Sequence, residues 1–168
     1  MCGIAGFIGR KKIEIHQIEK TLDLMKTRGP DHQGMAQFKH KDINVYLLNS
    51  RLSIIDLDPR SNPPMKIGSK TLAYNGEIYN YIELRDDLKR QGMSFNTDSD
   101  TEVLLQALIR DPKTALKNLE GMWAFALYDE GLGQLMLSRD RYSYKFLRHF
   151  FSRKRRPGKW EISHCQYS

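Results

Sequence analysis

Cys2 is the residue of this sequence with the clearest capacity for chemistry. It directly follows Met1, and its small side chain should permit removal of Met1, which makes Cys2 the first residue. A free α-amine has a pKa of about 7.7–8.0, so much of it is a neutral base at pH 7–8. Because an adjacent base activates a weak nucleophile, Cys2 would supply both groups. Taken alone, Cys2 is more simply an incidental terminal residue.

Other polar motifs have a structural interpretation beside a chemical one. Asn75-Gly76 is the strongest short-range signal for a hairpin turn, and Asp100 follows Ser99 at a predicted helix start, where it could be only part of the cap. His32 stands alone in a loop motif and is more simply structural than catalytic. Neither paired cysteines nor a His-Glu-x-x-His motif occurs in the sequence, so no metal site is expected.

Helices are predicted where apolar residues recur at helical spacing. Ile15, Ile18, Leu22 and Met25 form the apolar stripe of one amphipathic helix, which ends at 28–30 (RGP) because Gly favours the helix cap and Pro cannot continue the helix. Three further helix starts carry capping signals. They are Asn80 with Glu83, Ser99 with Glu102, and Asp111 with Pro112.

Strands are predicted at short apolar segments. These segments are 2–8, 45–48, 52–55, 71–74, 122–128 and 134–137. A turn through Gly131 and Gly133 joins the last two. The strands come in clusters separated by a few helices, which favours antiparallel sheets covered by helices, an α+β fold, over a doubly wound parallel sheet.

The net charge of +7 is confined to one end of the chain. Residues 1–138 contain 18 Lys and Arg and 18 Asp and Glu, whereas residues 139–168 contain 9 basic residues and only two acidic ones. The first 138 residues therefore behave as a neutral domain. A basic pI would otherwise indicate nucleic acid or an anionic membrane as a partner.

Length and composition exclude several classes of protein. The chain has 168 residues, enough for one domain with its own core. Its longest apolar run, 122–128, has seven residues, against the ~18 or more that cross a bilayer. Cysteines occur only at 2 and 165, so the chain is not a disulfide scaffold and a reducing, cytoplasmic location is expected.

Seven blocks of sequence resemble the class II glutamine amidotransferases, and among them the glutaminase domain of asparagine synthetases. They occur in the family's order and cover most of residues 1–141. The blocks are 1–7 (MCGIAGF), 28–34 (RGPDHQG), 51–56 (RLSIID), 74–80 (YNGEIYN), 99–105 (SDTEVLL), 119–129 (LEGMWAFALYD) and 138–141 (SRDR). One such block would be weak, but seven in order are specific.

The resemblance implies a four-layer αββα fold of the N-terminal-nucleophile type, with two antiparallel sheets between helical layers. It also implies hydrolysis of glutamine to glutamate and ammonia, with Cys2 forming a glutamyl thioester. Asn75 and Gly76 match the family's oxyanion hole. Arg51 resembles the residue that binds the substrate α-carboxylate, although a solvated surface Arg is the commoner fate. Glu77 and Asp100 resemble the groups near the α-ammonium. The remaining glutamine contacts would come from the backbone of Leu52, Ser53, Ile54 and Ile55.

The family pattern is not recognisable after residue 141. The family continues with Phe-Gly and Lys-Pro, whereas this chain has Tyr142, Ser143, Lys145 and Phe146 at those places. We expect an incomplete amidotransferase domain at 2–141 whose closing strands are missing, a divergent basic tail at 142–168 from truncation or a frameshift, and therefore a marginally folded, poorly active chain. The alternative is a functional tail that binds nucleic acid or anionic lipid.

The resemblance also sets expectations for ligands and partners. L-glutamine would be the substrate, and no cofactor would bind this chain, because ATP and Mg²⁺ would belong to a synthetase domain whose Ser-Gly-Gly-x-Asp-Ser loop is absent from the sequence. Family members are often homodimers, and neither a membrane nor nucleic acid is an expected partner. Two alternatives stay open, which are an amidotransferase serving another acceptor and an inactive binding module that uses the basic tail.

Overall fold

The computed structural model describes residues 2–142, 144, 145 and 147. The predictions of a divergent tail and of missing closing strands lie outside the described residues apart from four positions of that tail. The elements in chain order are β1 (Gly3–Gly9), α1 (Ile15–Met25), β2 (His32–His40), β3 (Ile43–Arg51), β4 (Met65–Ile67), β5 (Lys70–Ile78), α2 (Tyr81–Arg90), α3 (Asp100–Arg110), α4 (Pro112–Asn118), β6 (Gly121–Asp129) and β7 (Gln134–Arg139).

The strands form two antiparallel sheets. One has the order β1-β3-β2, and its register places Gly3 opposite Ser50 and His32 opposite Arg51. The other has the order β4-β5-β6-β7. In the second sheet β4 pairs only with the start of β5, so beyond Leu72 no strand among the described residues lies at this edge of β5.

Alternation along the strands explains why both faces of each sheet are buried, because successive side chains of a strand point to opposite faces. On β3, Val45 and Leu47 pack between the sheets, whereas Tyr46 and Leu48 pack against α1 through Ile18. The second sheet follows the same rule. Ala73, Ala126 and Tyr128 face the first sheet, while Leu72, Tyr74, Phe125 and Leu127 meet the α2–α4 layer.

The result is four layers in the order helix, sheet, sheet, helix, which confirms the α+β αββα prediction. Helix α1 covers the first sheet, and α3 covers the second with a buried face that includes Val103, Leu104 and Leu108. The longest helices in the described ranges have 11 residues, and none is long and apolar enough to cross a membrane.

One local prediction was wrong, and one of the two interpretations of Asn75-Gly76 is excluded. Residues 52–55 do not form a strand, because the chain leaves the sheet after Arg51 and exposes Ile54, so this apolar run is not buried. Asn75-Gly76 is not a turn but lies within β5, opposite Ala124 and Trp123. Strands β2 and β4 were not predicted at all.

The predicted helix caps form at two of three sites. Ser99 Oγ accepts the backbone N–H of Glu102 at 3.2 Å, and Asp111 accepts that of Lys113 at 3.0 Å. Asn80 does not cap α2. Its amide instead donates to Asn118 O at 2.8 Å and accepts from Glu120 N at 3.1 Å, so it ties the start of α2 to the segment before β6.

Candidate functional site

One open cleft lies where the end of β3, the middle of β5 and the start of α3 meet. Nine of the ten residues singled out from the sequence line it, and Ser53 alone does not. Those nine are Cys2, Arg51, Leu52, Ile54, Ile55, Asn75, Gly76, Glu77 and Asp100. Residues far apart in sequence are thus brought to one place by the pairing of β1 with β3 and by the packing of the two sheets.

Cys2 stands directly before β1, and the backbone at the end of β3 fixes its side chain. The Leu52 N–H donates to Cys2 Sγ at 3.3 Å, and the thiol donates to Leu52 O at 3.7 Å. Arg28 Nε donates to the Cys2 carbonyl at 3.2 Å. The thiol is reduced and half-buried, so it has a defined position and still faces the cleft.

Arg51 is the last residue of β3, and its guanidinium is held by the loop that follows. Its Nη1 donates to Asn62 Oδ1 at 2.7 Å, while Nη2 donates to Ile55 O at 3.0 Å and to Asp56 O. A guanidinium carries five N–H donors. These three bonds leave the Nε–H and one Nη1–H for a ligand, and the residue is only 6% exposed, so its orientation is set before anything binds.

The edge of β5 that faces away from β6 carries the backbone donors of the site. Tyr74 N donates to Asn49 Oδ1 at 2.8 Å, and Ile78 N donates to Asp100 Oδ2 at 3.1 Å. Because N–H groups alternate between the two edges of a strand, the N–H of Gly76 points to this same edge, between the other two. At Gly76 no strand of the described part of the chain pairs with this edge.

Asn75 and Gly76 differ in their contacts with the surrounding chain. Asn75 is buried and lines the cleft, and its side-chain amide has no hydrogen bond to the described part of the chain. A β-carbon on Gly76 would lie 2.8 Å from Trp123 Cα and closer still to Met122 O. Glycine is therefore required there by the approach of β6 and not by its dihedral angles.

Asp100 opens α3 with its carboxylate buried beside the cleft. One oxygen, Oδ2, accepts from the Tyr74 hydroxyl at 2.8 Å and from Ile78 N at 3.1 Å. Burial raises the pKa of Asp100 above its ordinary value, although the bonds from Tyr74, Ile78 N and Thr101 N oppose that rise. Burial also raises the pKa of Tyr74, so its hydroxyl remains a donor to this carboxylate.

Asp56 ties the loop after Arg51 to the start of α3. Its carboxylate accepts from Ser61 Oγ at 2.6 Å, from Asp58 N at 2.8 Å and from Asp98 N at 2.8 Å. Its φ of 58° is left-handed, a conformation that Asp adopts more readily than most residues. Burial would raise the pKa of Asp56, but the hydrogen bonds from Ser61, Asp58 and Asp98 outweigh burial and lower it.

The cleft also contains residues that sequence reasoning did not single out. They are Pro63, Tyr74, Thr101, Met122 and Lys145. Tyr74 and Thr101 could have been predicted, because each adjoins a selected residue in the same sequence block. Lys145 could not have been predicted in this way, since it lies beyond residue 141, where the family pattern stops. It is 5% exposed, and its backbone N donates to Asp140 Oδ2 at 2.9 Å.

His32 lies on β2 opposite Arg51 and does not line the cleft. Burial and the nearby Arg51 charge lower the pKa of His32, so it is neutral at pH 7 and sits as a structural residue beside Arg51. In residues 2–142, 144, 145 and 147, no group of three or more His, Cys, Asp or Glu could hold a metal ion.

The cleft therefore combines a thiol with groups of both charges. Arg51 and Lys145 are cationic, and Glu77 and Asp100 are acidic. Such a cleft suits a small zwitterion, whose carboxylate would meet a guanidinium and whose ammonium would meet a carboxylate. The thiol lies on β1's side of the same cleft, where it could attack an electrophilic carbon of that molecule.

Comparison with known proteins shows the family of this chain. The sequence model of the family described as "Glutamine amidotransferase domain" matches residues 1–157. The putative asparagine synthetase [glutamine-hydrolyzing] 2 of Methanocaldococcus jannaschii is 34% identical over 163 residues, which cover 86% of this chain and 31% of that protein. Asparagine synthetase B [glutamine-hydrolyzing] of Escherichia coli is 37% identical over 145 residues, which cover 83% of this chain and 25% of that protein.

Among solved structures, the glutamine phosphoribosylpyrophosphate amidotransferase of B. subtilis, complexed with ADP and GMP, superposes with a TM-score of 0.48 and 27% identity. That match covers 56% of this chain and 23% of the other. The chain thus spans between a quarter and a third of the length of the two curated relatives.

Proposed function

The chain belongs to the glutamine amidotransferase domain family, and from this premise we propose that it hydrolyses glutamine to glutamate and ammonia through Cys2. The observation that carries the proposal is the common cleft of Cys2, Asn75, Gly76, Arg51 and Asp100. A thiol, two oxyanion donors and partners for both ends of an amino acid are what such a reaction needs.

The nucleophile is the Cys2 thiol, and its base is the α-amine of the same residue once Met1 is removed. The amine takes the thiol proton as Sγ attacks the side-chain amide carbon of glutamine. The C–N bond then breaks, and the leaving nitrogen takes the proton back and departs as ammonia. Water, deprotonated by the same amine, hydrolyses the glutamyl thioester to glutamate. Leu52 N holds Sγ in place during both steps.

The developing oxyanion is stabilised from β5. The Asn75 side-chain amide has no acceptor among the described residues, and the Gly76 N–H points to the edge of β5 that faces away from β6. Two donors that are fixed before the reaction stabilise the tetrahedral intermediate without reorganising, and one such donor is worth about 2.7–4 kcal/mol. These donors come from a paired strand, which restrains their positions.

The two ends of the substrate are bound at the rim of the cleft. The Nε–H and Nη1–H that remain on Arg51 bind the α-carboxylate, and the backbone of Leu52, Ser53, Ile54 and Ile55 lies along the substrate. Asp100 Oδ1, which also accepts from Thr101 Oγ1 at 3.5 Å, accepts from the α-ammonium, with Glu77 nearby. Asp100 Oδ2 is already occupied by Tyr74 and Ile78.

Ammonia and glutamate release from glutamine by the purified chain tests this proposal. Intact mass first establishes whether Met1 has been removed. Chains that begin at Cys2 are expected to release both products in equal amounts, and Cys2→Ala is expected to abolish release without unfolding. Cys165→Ala is the matched control, because it removes the other cysteine and should retain activity. Release from Cys2→Ala, or from chains that retain Met1, would contradict the mechanism.

The acceptor of the ammonia is a separate part of the proposal. Two relatives are named glutamine-hydrolysing asparagine synthetases, so we place this domain in a protein that transfers ammonia to aspartate, with ATP and Mg²⁺ bound outside this chain. Complementation of an asparagine-requiring strain with the complete gene tests whether aspartate is the acceptor. Growth without asparagine supports that acceptor, and failure to grow with retained glutamine hydrolysis supports another acceptor of the same branch.

Assembly and location complete the proposal. A cytoplasmic location suits the chemistry, because a reducing compartment keeps the Cys2 thiol free. A homodimer without nucleic acid follows the pattern expected of the family. Light scattering after size-exclusion chromatography measures the mass of the particle, and DNA or RNA added at low salt should not change its elution.

A further inference from the structure

Asn49 is a buried amide that joins the two sheets next to the cleft. It lies on β3, two residues before Arg51, and is 0% exposed. Its Nδ2 donates to Gly3 O at 3.1 Å and to Ser50 O at 3.3 Å, and its Oδ1 accepts from Tyr74 N at 2.8 Å. Both N–H groups of the amide and one lone pair are therefore used.

Two of the three backbone groups that Asn49 binds adjoin the two halves of the site. Gly3 directly follows Cys2, and Tyr74 directly precedes Asn75 and shares an edge of β5 with the Gly76 N–H. One rigid side chain thus sets the distance between the strand that carries the nucleophile and the strand that carries the oxyanion donors. We propose that Asn49 is a positioning residue that aligns Cys2 with Asn75 and Gly76. This role rests on the proposed glutamine hydrolysis.

The surrounding contacts explain why this alignment needs a hydrogen bond. Otherwise the sheets meet through apolar side chains such as Val45, Leu47, Ala73 and Tyr128, and apolar contacts are non-directional. Within the described ranges, the bond from Tyr74 N to Asn49 Oδ1 is the only hydrogen bond from a strand of one sheet to a strand of the other. It is also fully shielded from water.

Replacement of Asn49 by Asp removes hydrogen bonds that the side chain donates and nearly keeps its shape. Aspartate has nearly the same shape and still accepts from Tyr74 N, but it cannot donate to Gly3 O. Asn44→Asp is the matched control. Asn44 lies on the same strand opposite Gly9, and its Nδ2 donates to Arg10 O at 3.1 Å, so the same type of bond is lost at the far end of the β1–β3 pair.

Two reactions of Cys2 are then compared in the full chain with Met1 removed. Glutamine hydrolysis needs the oxyanion donors, whereas alkylation of the thiol by iodoacetamide does not. We expect Asn49→Asp to lower kcat for hydrolysis about tenfold to hundredfold, because small misplacements of reacting groups cost rates of this order. KM for glutamine and the alkylation rate should change less than about threefold. Asn44→Asp should leave all three values near those of the wild type.

Each other outcome overturns the proposal. A kcat of Asn49→Asp equal to that of Asn44→Asp denies the role, and equal losses of hydrolysis and alkylation place the effect on the thiol alone. Asn49→Gln carries the same groups on a stem one methylene longer and is the second variant. If both variants unfold, Asn49 acts in stability only. Absence of hydrolysis in the wild type and in Asn44→Asp contradicts the proposed function instead, which keeps the two failures distinct.

Discussion

The hydroxyl of Tyr74 donates to Asp100 at 2.8 Å, and the same carboxylate oxygen accepts the N–H of Ile78. This pair ties the start of α3 to β5 on either side of Gly76. The other oxygen, Oδ1, accepts from Thr101 Oγ1 at the longer distance of 3.5 Å, so it is held less firmly by the protein. The geometry explains how a residue at the first turn of a helix, where a capping role would suffice, faces the cleft with a fixed orientation.

Asp100→Asn should weaken glutamine binding. The substitution keeps an acceptor for Tyr74 and Ile78 but removes the charge that pairs with the α-ammonium. A hydrogen bond to a charged group is worth about 1.5–3 kcal/mol, so steady-state kinetics should show KM raised about tenfold to hundredfold with a smaller change in kcat. Tyr74→Phe is the control, since it retains the charge. A larger rise of KM in Tyr74→Phe than in Asp100→Asn would contradict the assignment.

The raised pKa of Asp100 gives this effect a pH dependence. As pH falls through that raised value, the carboxylate becomes neutral, so wild-type KM should rise at a pH above the ordinary Asp value of about 3.9. Stability depends on pH in the opposite direction. Between the ordinary and the raised pKa of Asp100 the native state binds more protons than the unfolded state, so the free energy of unfolding falls as pH rises through this range. In Asp100→Asn both dependences should be reduced.

Asn75→Ala should lower the rate of hydrolysis and leave the fold intact. The side-chain amide of Asn75 has no partner in the described part of the chain, so its removal orphans no buried group. Loss of one oxyanion donor costs about 10²–10³ in kcat, with KM nearly unchanged. The kinetics are measured beside urea unfolding. A change of KM that exceeds the change of kcat would assign Asn75 to substrate binding instead.

Gly76→Ala should destabilise the chain, because its β-carbon would overlap the backbone of β6 at Met122 and Trp123. Overpacking of this kind costs about 1–3 kcal/mol or more, which urea unfolding measures. Gly131→Ala is the matched control. There the nearest atom to a β-carbon is a side-chain oxygen of Asp129 at 3.3 Å, and φ is not left-handed. Equal losses in the two variants would contradict the close approach of β6.

Asp56→Ala should loosen the loop that holds Arg51. It removes the acceptor of three hydrogen bonds, and we expect a loss of about 1–3 kcal/mol in unfolding and a higher KM for glutamine. Asp58→Ala removes a half-buried carboxylate two residues away whose side-chain partner, Arg60, is exposed, and it should cost less. Because the pKa of Asp56 is lowered, its contribution is complete above the ordinary carboxyl pKa of about 3.9 and is lost as pH falls through the native value. An unfolding difference that persists at lower pH would contradict the ionic role.

Periodicity and capping predicted the parts of the fold that depend on local sequence. The helix at Ile15–Met25 and the Ser99 cap follow from spacing alone, because their signals involve residues within four positions of each other. Residues 52–55 match a strand pattern for the same reason, but their conformation depends on Arg51, whose guanidinium donates hydrogen bonds to the backbone carbonyls of Ile55 and Asp56. That contact is not visible in a local pattern.

Most residues that line the cleft were predicted from the sequence blocks, whereas the hydrogen bonds that hold them in place were not. Asn75-Gly76 signals a turn by itself, and only pairing with β6 keeps it extended. Asn49 and Asp56 carry no motif that distinguishes them from ordinary polar residues. Their importance arises from long-range contacts, with Tyr74 in one case and Asp98 in the other, which depend on how the two sheets pack.

The central claim is that Cys2 attacks glutamine, and the most direct test is the mass of the N-terminal peptide during turnover. The chain with Met1 removed is mixed with glutamine, quenched in acid within the time of one turnover and digested. Attack by Cys2 predicts a glutamyl group on the peptide that begins at Cys2, lost again as glutamate accumulates and absent in Cys2→Ala. An unmodified Cys2 peptide in a chain that is releasing ammonia would contradict it.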